Sequence, residues 1–323
     1  MTGIYAFGTF SQADGQTWPG VARADSVAAL ADLLPGAPVN LGLVLRDWSR
    51  WDSAIDHAVN AAPASVWRAA TELTVHLPYK PENLYGAGAN YHKHVVDLIV
   101  DQGAGGLEHL DQAERRIVAT KMMDDRALNG TPYVWIAARS SIAGSHDILS
   151  LPREIREPDW ELELAVVIGK PTRRVSRADA LGHVAGYTIA NDVTARDLVH
   201  RSDMKAMGMD WLASKNPPGF NILGPYITPA RFVPDPQRLH IRLMLNGEVK
   251  QDEGTDDMIF GVARLIEYVS AHVQLEPGDI IMTGSPSGNG SHYQRFLQDG
   301  DVMVGEVDGL LGSQHTVCRA EST

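Results

Sequence analysis

Two carboxylates interrupt an otherwise apolar segment near the middle of the chain. Side chains on a strand alternate between its two faces, so residues 160–166 predict one apolar face and one acidic face. The acidic face carries Glu161 and Glu163, and the apolar face carries Trp160, Leu162, Leu164 and Val166. Neighbouring carboxylates repel each other in a low-dielectric interior, so a core tolerates them only beside a cation, a proton or a basic side chain. The alternative is an edge strand whose acidic face lies in water.

The first part of the chain predicts a small α+β unit. Its predicted elements are a strand at residues 4–8, a helix capped by Ser26 at residues 26–34, a helix at residues 48–60 and a strand at residues 73–77. Pro78 and Pro81 then interrupt the pattern. We therefore predict a small N-terminal α+β domain over residues 1–79 and a catalytic domain over residues 80–323.

Apolar alternation and turn residues predict part of the scaffold of the larger domain. Residues 186–192 form a predicted strand that ends at Asp192. Residues 239–245 alternate into Asn246-Gly247, a dipeptide typical of a β-hairpin turn. A helix is predicted to be capped by Thr255 and to bury an apolar face that runs to Val273.

The segment that begins with a short predicted strand at Leu84 carries polar groups suited to acid–base chemistry. His94 and Asp97 are three residues apart, so a helix would place both on one face, where the carboxylate could orient the imidazole as a general base. A plain solvated helix face is the alternative. The polar stretch that follows is long for a connection, which predicts either a lid over about residues 91–131 or an ordinary surface helix flanked by loops.

Composition and charge narrow the possible functions. The chain has 323 residues, enough for two domains, and a formal net charge of -12. This acidic balance, without any Lys/Arg run, argues against a nucleic-acid partner or an acidic membrane surface. Cys318 is the single cysteine, which excludes an intramolecular disulfide and suits a reducing compartment. No basic region precedes an apolar stretch at the N-terminus and no run reaches membrane-spanning length, so we expect a cytoplasmic protein.

Asp192 adds a third carboxylate to Glu161 and Glu163. Three carboxylates without His or Cys form an all-oxygen set that suits Mg²⁺ or Mn²⁺ and suits Zn²⁺ or Cu²⁺ poorly. Arg196 follows closely and would either hold a substrate carboxylate or pair with an acidic residue, and both interpretations stay open. Lys215 stands before a rigid Asn-Pro-Pro-Gly turn that fixes the backbone there.

Taken in order, these motifs resemble the fumarylacetoacetate hydrolase superfamily, in the branch of acylpyruvases, fumarylpyruvate hydrolases and 2-oxo acid hydratases or decarboxylases. The resemblance runs from about Leu84 to the end of the chain. It rests on the motifs at residues 90–94, 160–170, 191–197 and 278–288. It implies an α+β fold in which the catalytic domain is a mixed β-roll beside a small N-terminal domain, and it implies a homodimer.

The resemblance also implies roles for individual residues. Mg²⁺ or Mn²⁺ would be held by the residues that match Glu161, Glu163 and Asp192. In the hydrolytic members, the histidine that matches His94 activates water with an acid on the same lid helix, here Asp97, and the lysine that matches Lys215 steadies an oxyanion or enolate. Within the matching motifs, the candidate substrate-binding residues are Tyr91, Arg196 and Ser285.

Several positions depart from the pattern of the family. Asp97 stands where Glu is usual, so its pair with His94 is expected to be looser or bridged by water. Pro218 replaces an Asp, Ser285 replaces a Thr, and Ala137 stands where relatives often carry a Lys, for which Arg139 is a candidate substitute. These changes would reshape the wall of the pocket and leave the carboxylate set intact.

The predicted function is a divalent-metal-dependent hydrolase. It would cleave a C–C bond in an acylpyruvate-type 2,4-dioxo acid, such as a fumarylpyruvate or maleylpyruvate from aromatic-compound catabolism, to pyruvate and a carboxylic acid. One alternative is a decarboxylase, dehydratase, hydratase or isomerase that uses the same metal site on a 2-oxo acid. Another is a non-catalytic homologue that only binds a small molecule. A looser pairing of His94 with Asp97 would favour the enzymes that need no attacking water.

Overall fold

The computed structural model describes residues 3–102, 106–203 and 208–321. Its strands, in chain order, are β1 (Ala6–Ser11), β2 (Thr17–Arg23), β3 (Ser26–Ala29), β4 (Arg68–Ala69), β5 (Thr74–His76), β6 (Leu84–Gly88), β7 (Tyr133–Ala137), β8 (Ile142–Gly144), β9 (Ile148–Leu151), β10 (Pro158–Asp159), β11 (Leu162–Ile168), β12 (Val184–Asp192), β13 (Thr194–Ala195), β14 (Asn221–Leu223), β15 (Thr228–Pro229), β16 (His240–Leu245), β17 (Glu248–Gly254), β18 (Ile280–Met282), β19 (Val302–Val307) and β20 (Gln314–Ala320). Its α-helices are α1 (Leu30–Leu33), α2 (Leu41–Arg46), α3 (Trp48–Ala61), α4 (His92–Gln102), α5 (Gln112–Asn129), α6 (Arg196–Val199), α7 (Trp211–Lys215), α8 (Val262–His272) and α9 (Gly290–Tyr293).

The strands form three larger sheets and one short pair. An antiparallel N-terminal sheet has the order β4-β3-β2-β1-β5. A mixed sheet has the order β7-β6-β18-β11-β12-β14-β8, with β15 paired to β12. The third sheet has the order β17-β16-β19-β20-β9, and β10 pairs with β13. These curled mixed sheets with helices confirm the predicted α+β β-roll.

Strand β11 lies inside the mixed sheet, between β12 and β18. Every residue of β11 is buried, as expected for a strand covered on both faces. The two carboxylates at its start are also buried, since Glu161 is 7% exposed and Glu163 is 2% exposed. The interpretation as a hydrated edge strand is therefore wrong.

The two faces of β11 pack into different apolar clusters. Leu162 and Leu164 belong to a cluster that includes Leu265 of α8, whereas Ala165 belongs to a cluster with Phe7 of β1 and Trp48 of α3. Burying a side chain of the size of leucine or phenylalanine contributes about 1.5–3 kcal/mol, so both clusters hold β11 in place. Because the second cluster joins the N-terminal segment to the mixed sheet, the boundary after residue 79 stays a prediction.

The hairpin prediction is confirmed, and two helix predictions are corrected. Asn246 and Gly247 both have positive φ, 53° and 84°, in the turn between β16 and β17. Ser26 does not cap a helix, because residues 26–29 pair with β2 and only the short helix α1 follows. Thr255 does not cap a long helix either: its Oγ1 accepts a hydrogen bond from Leu239 N at 2.9 Å, and α8 begins only after Gly261. In both cases tertiary pairing overrides the local signal.

The predicted lid corresponds to α4 and α5, which pack against each other; residues 103–105 of the connection lie outside the described residues. Within the described ranges, no helix is long and apolar enough to cross a membrane.

Candidate functional site

The three carboxylates meet where β11 and β12 lie side by side. Leu162 pairs with Asn191 in the ladder, and Asp192 N donates to the carbonyl of Glu161 at 2.9 Å. This register brings Asp192 beside Glu161 and Glu163, and one oxygen from each carboxylate lies within 4.8 Å of the others. All three residues are buried.

Lys215 binds two of these carboxylates from the end of α7. Its Nζ donates to Glu161 Oε2 at 2.6 Å, to Asp192 Oδ2 at 2.5 Å and to Thr194 Oγ1 at 2.7 Å. The backbone carbonyl of Lys215 accepts from Asn221 Nδ2 at 2.9 Å, which fixes the end of the helix. A lysine that is only 3% exposed is tolerated because all three of its donors have acceptors.

Arg196 pairs with acidic residues rather than facing open space. Its Nε donates to Asp159 Oδ2 at 2.8 Å, and its guanidinium also contacts Glu161. Asp159, which the sequence reasoning missed, is fully buried and also accepts from Gly290 N at 2.5 Å and from Ser291 Oγ at 2.6 Å. The sequence could have indicated Asp159, because it lies two residues before Glu161 and therefore on the same face of an extended strand as the two glutamates.

The charges of the cluster are unevenly balanced. Burial alone would raise the pKa of Glu161, but the charges of Arg196 and Lys215 hold it well below its usual range. Burial raises the pKa of Glu163 well above its usual range, and the charges of Asp192 and Glu161 raise it further. Burial also raises the pKa of Asp192 to about 7, although Lys215 opposes the shift. Two of the three carboxylates therefore lack enough positive charge around them.

These residues fit a hard divalent cation. Asp192 Oδ1 is buried and has no hydrogen-bond partner among the described residues, so it is free to act as a ligand. One oxygen of Glu163 accepts from Gly284 N at 2.7 Å, which orients this carboxylate. An all-oxygen set of this kind suits Mg²⁺ or Mn²⁺, and a dication would supply the positive charge that Glu163 and Asp192 lack.

His94 and Asp97 both lie on α4 but do not form the predicted pair. Asp97 Oδ1 accepts from Arg116 Nη1 of α5 at 2.9 Å, and Oδ2 accepts from Ser287 Oγ at 3.1 Å. Within the described ranges, no hydrogen bond joins Asp97 to His94. Burial lowers the pKa of His94 to about 4, although the negative charge of Glu161 opposes this shift. His94 is therefore a buried neutral base close to the carboxylate cluster.

A cavity of about 360 Å³ lies beside His94. It is bounded by α4 and by residues 287–294, which include α9. Its lining residues are His94, Asp97, Leu98, Asp101, Ser287, Asn289, Ser291, His292 and Gln294. Polar side chains predominate, so the cavity suits a small polar molecule.

The remaining candidates are buried around the cluster. Tyr91 is fully buried; burial raises the pKa of its hydroxyl, and the charge of Glu163 adds to the effect. Ser285 Oγ accepts from Gln251 Nε2 at 2.8 Å, and Gln251 Oε1 accepts from Leu162 N at 3.0 Å. Gln251 thus ties the Ser285 loop to β11, a role for which the sequence of its hairpin strand carries no signal. Substrate contact by Tyr91 and Ser285 stays a prediction.

Arg139 does not substitute for the missing lysine. Its guanidinium lies 3.6 Å from the carboxylate of Glu82, and both side chains are largely exposed. The nearby Trp135 instead packs by its ring against Lys215, with the ammonium 5.5 Å from the ring centroid. That distance fits a cation–π contact, which favours the charged lysine.

Comparison with known proteins defines the class of the molecule. The model of the fumarylacetoacetate (FAA) hydrolase C-terminal family matches residues 83–318. The chain therefore belongs to this family, as its motifs predicted.

A curated relative and two solved structures are similar to the chain. A mitochondrial oxaloacetate tautomerase of Xenopus laevis is 41% identical over 181 residues, which are 55% of this chain and 56% of the relative. The chain thus matches little more than half the length of that relative. Fumarylacetoacetate hydrolase of Exiguobacterium antarcticum is 27% identical with a TM-score of 0.74, and the match covers 98% of this chain and 100% of that structure. Maleylpyruvate hydrolase of Sphingobium sp. SYK-6, 24% identical with a TM-score of 0.73 and the same coverage, shares the fold.

The raised pKa of Glu163 predicts how the stability of the metal-free protein changes with pH. A carboxyl group whose pKa is raised on folding stabilises the fold at low pH and loses that contribution as the pH rises through the raised value. We therefore expect Glu163→Gln to become more stable relative to the wild type as the pH is raised from 5.5 to 8, by on the order of 1 kcal/mol. The measurement is urea unfolding, followed by tryptophan fluorescence in excess EDTA.

His94 changes the stability with pH in the opposite direction, but it does so equally in the wild type and in Glu163→Gln. Its lowered pKa makes stability rise with pH, and this contribution cancels in the difference. Glu154→Gln, which changes an exposed carboxylate, is the matched control and should show no such trend. If the free energies of unfolding of Glu163→Gln and of the wild type differ by the same amount across the pH range, the pKa of Glu163 is not raised by folding.

Proposed function

We propose that the protein is a divalent-metal-dependent enzyme that enolises a 2-oxo acid, and that its reaction is the keto–enol tautomerisation of oxaloacetate. The buried cluster of Glu161, Glu163, Asp192 and Lys215 supports the chemistry, because a divalent cation held by the three carboxylates would, together with the ammonium group of Lys215, stabilise negative charge on an enolate. The similarity to the Xenopus oxaloacetate tautomerase supports the choice of substrate.

The hydrogen bonds of Asp97 favour tautomerisation over hydrolysis. Both of its oxygens accept hydrogen bonds from Arg116 and Ser287, and neither orients His94. Hydrolysis needs a base held in position to activate water, whereas tautomerisation needs only proton transfer at C3 and at the C2 oxygen. The second requirement is met by a buried neutral imidazole without a carboxylate partner.

Each residue of the cluster has a defined part in this reaction. A divalent cation held by Glu161, Glu163 and Asp192 would act as a Lewis acid toward the 2-oxo and carboxylate oxygens of the substrate. Burial opposes the charged form of Lys215, but Asp192 and Glu161 raise its pKa, so it stays an ammonium group that favours negative charge on the C2 oxygen. His94 accepts the proton from C3 as the C2–C3 double bond forms. The protonated His94 then gives this proton to the C2 oxygen, which completes the enol and restores the neutral imidazole, and the reverse steps restore the ketone.

A second candidate is the hydrolysis of an acylpyruvate, such as fumarylpyruvate or maleylpyruvate, to pyruvate and a carboxylic acid. The cavity beside His94 favours it, because about 360 Å³ has room for an acyl group and for water. This reaction would place the enzyme in aromatic-compound catabolism. The homodimer and the cytoplasmic location stay predictions under both functions.

The proposed reaction is tested by following the ultraviolet absorbance of the oxaloacetate enol. We expect the enzyme to accelerate its decay with Mg²⁺ or Mn²⁺ and to lose this activity in EDTA. Lys215→Met should lower kcat by about 100-fold or more, because it removes the fixed charge beside the enolate oxygen. Lys170→Met, which changes an exposed lysine, should match the wild type. Full activity in EDTA, or in Lys215→Met, would refute the mechanism.

The contact between α4 and α5 gives a separate prediction. Asp97→Asn and Arg116→Met should each raise the KM for oxaloacetate by about 2- to 5-fold with little change in kcat, because both remove the same partly exposed ion pair. The double variant should be no worse than either single variant. If Asp97→Asn lowers kcat by about 100-fold and Arg116→Met does not, Asp97 orients His94 as a general base, and hydrolysis becomes the better-supported function.

A further inference from the structure

Asp159 is a fully buried carboxylate next to the cluster, and its hydrogen bonds join two parts of the site. On the side of the cluster, it accepts from Arg196 Nε at 2.8 Å. On the side of the cavity wall, it accepts from Gly290 N at 2.5 Å, from Ser291 N at 3.1 Å and from Ser291 Oγ at 2.6 Å. A carboxylate without exposed surface is tolerated because these donors replace the water that it has lost.

The backbone holds Asp159 and Arg196 side by side. Asp159 of β10 lies opposite Thr194 of β13 in the short strand pair. Arg196 follows β13 directly, and its backbone N donates to the carbonyl of Glu157 at 2.9 Å. Thr194 Oγ1 in turn donates to Glu161 Oε2 at 3.1 Å. The strand pair therefore fixes the side chain of Arg196 between Asp159 and the cluster.

The contacts of Glu161 make the charge of Arg196 a difficulty for a metal site. One oxygen of Glu161 contacts the guanidinium of Arg196, and the other accepts from Lys215 Nζ at 2.6 Å. Two positive charges beside a metal ligand repel a cation that would bind the same carboxylate. The ion pair between Arg196 and Asp159 offsets one of these charges.

The net charge of this buried group matches a divalent cation. Four of its side chains are carboxylates and two are cations, so the group has a net charge of -2 when every member is ionised. Its members are Asp159, Glu161, Glu163, Asp192, Arg196 and Lys215. One dication neutralises the group. Without the charge of Asp159, the same dication would leave an uncompensated positive charge in the interior, which is costly.

We propose that Asp159 is a positioning residue of the metal centre, which holds Arg196 and offsets its charge so that the carboxylates keep their affinity for a divalent cation. The inference rests on the proposed function, in which Glu161, Glu163 and Asp192 hold that cation. Asp159 acts through Arg196 and is not itself a ligand. Groups that only contact a ligand or its partner commonly change the affinity for a metal by about 10- to 100-fold.

The test measures the binding of Mn²⁺ without substrate, from the electron paramagnetic resonance signal of the free ion. Asp159→Asn keeps the size of the side chain and removes its charge, so it should raise the Kd for Mn²⁺ by about 10- to 100-fold. The double variant Asp159→Asn with Arg196→Met removes one charge of each sign and restores the net charge. It should therefore bind Mn²⁺ more tightly than Asp159→Asn alone, by about 10-fold. A purely structural role predicts no such recovery.

Two variants control for damage to the fold. Ser291→Ala removes a donor of the cavity wall and keeps the pair of Asp159 with Arg196, so the Kd for Mn²⁺ should not change. Asp301→Asn changes another buried carboxylate that pairs with an arginine, since Asp301 Oδ1 accepts from Arg295 Nη2 at 2.7 Å. It should also leave the Kd for Mn²⁺ unchanged.

Arg196→Met alone provides a second test if Asp159→Asn does not fold. Asp159 keeps its donors from Gly290 and Ser291 in this variant. Because one positive charge beside Glu161 is lost, Arg196→Met should bind Mn²⁺ at least as tightly as the wild type. Weaker binding by Arg196→Met overturns the proposal. An unchanged Kd in Asp159→Asn, or a double variant that binds as weakly as Asp159→Asn, also overturns it.

The two proposals fail in different ways. If Mn²⁺ affinity follows these charges but the wild type does not turn over oxaloacetate, the inference stands and the proposed function is refuted. If the wild type turns over oxaloacetate with metal but Asp159→Asn binds Mn²⁺ as the wild type does, only the inference is overturned. A wild type that does not bind Mn²⁺ contradicts both.

Discussion

The ammonium group of Lys215, held between Glu161 and Asp192, is the interaction on which the site depends. It brings together carboxylates that would otherwise repel each other in the core, and removing one partner from such a buried cluster costs about 3–5 kcal/mol. Lys215 and Arg196 both contact Glu161, however, so Glu163 and Asp192 keep less positive charge beside them, and their pKa values are raised. The fold therefore stabilises an arrangement that favours a further cation, and this is the physical basis of the proposed metal chemistry.

The scaffold serves this cluster from both sides. Strand β11 is covered on one face by the cluster of Leu265 and on the other by the cluster of Trp48, so its carboxylates cannot turn outward to water. Arg196 and Asp159 extend the polar contacts from Glu161 to the segment that carries Asn289. Asp97 of α4 bonds both to Arg116 of α5 and to Ser287 in the wall of the cavity, so it links the two helices to this segment.

Sequence reasoning found what depends on local periodicity and missed what depends on tertiary contacts. The alternation that marked Glu161 and Glu163 located the buried cluster, and the order of the motifs predicted the family that the comparison confirms. The same alternation extends to Asp159, but nothing in the sequence shows that Arg196 reaches it. Helical spacing correctly placed His94 and Asp97 on one helix, yet the pairing of Asp97 with Arg116 depends on how α5 packs. Ser26 and Thr255 carry good capping signals that strand pairing and a long-range hydrogen bond override.

The most direct test of the proposed metal site is a crystal structure of the protein grown with Mn²⁺ and oxalate, an analogue of the enolate of pyruvate, with the metal located by its anomalous scattering. We expect one strong anomalous peak with oxygens of Glu161, Glu163 and Asp192 about 2.0–2.3 Å away and with oxalate bound to the same ion. Lys215 should stay beside the cluster as an ammonium group. An anomalous peak elsewhere with these carboxylates unliganded, or no peak at saturating Mn²⁺, would contradict it.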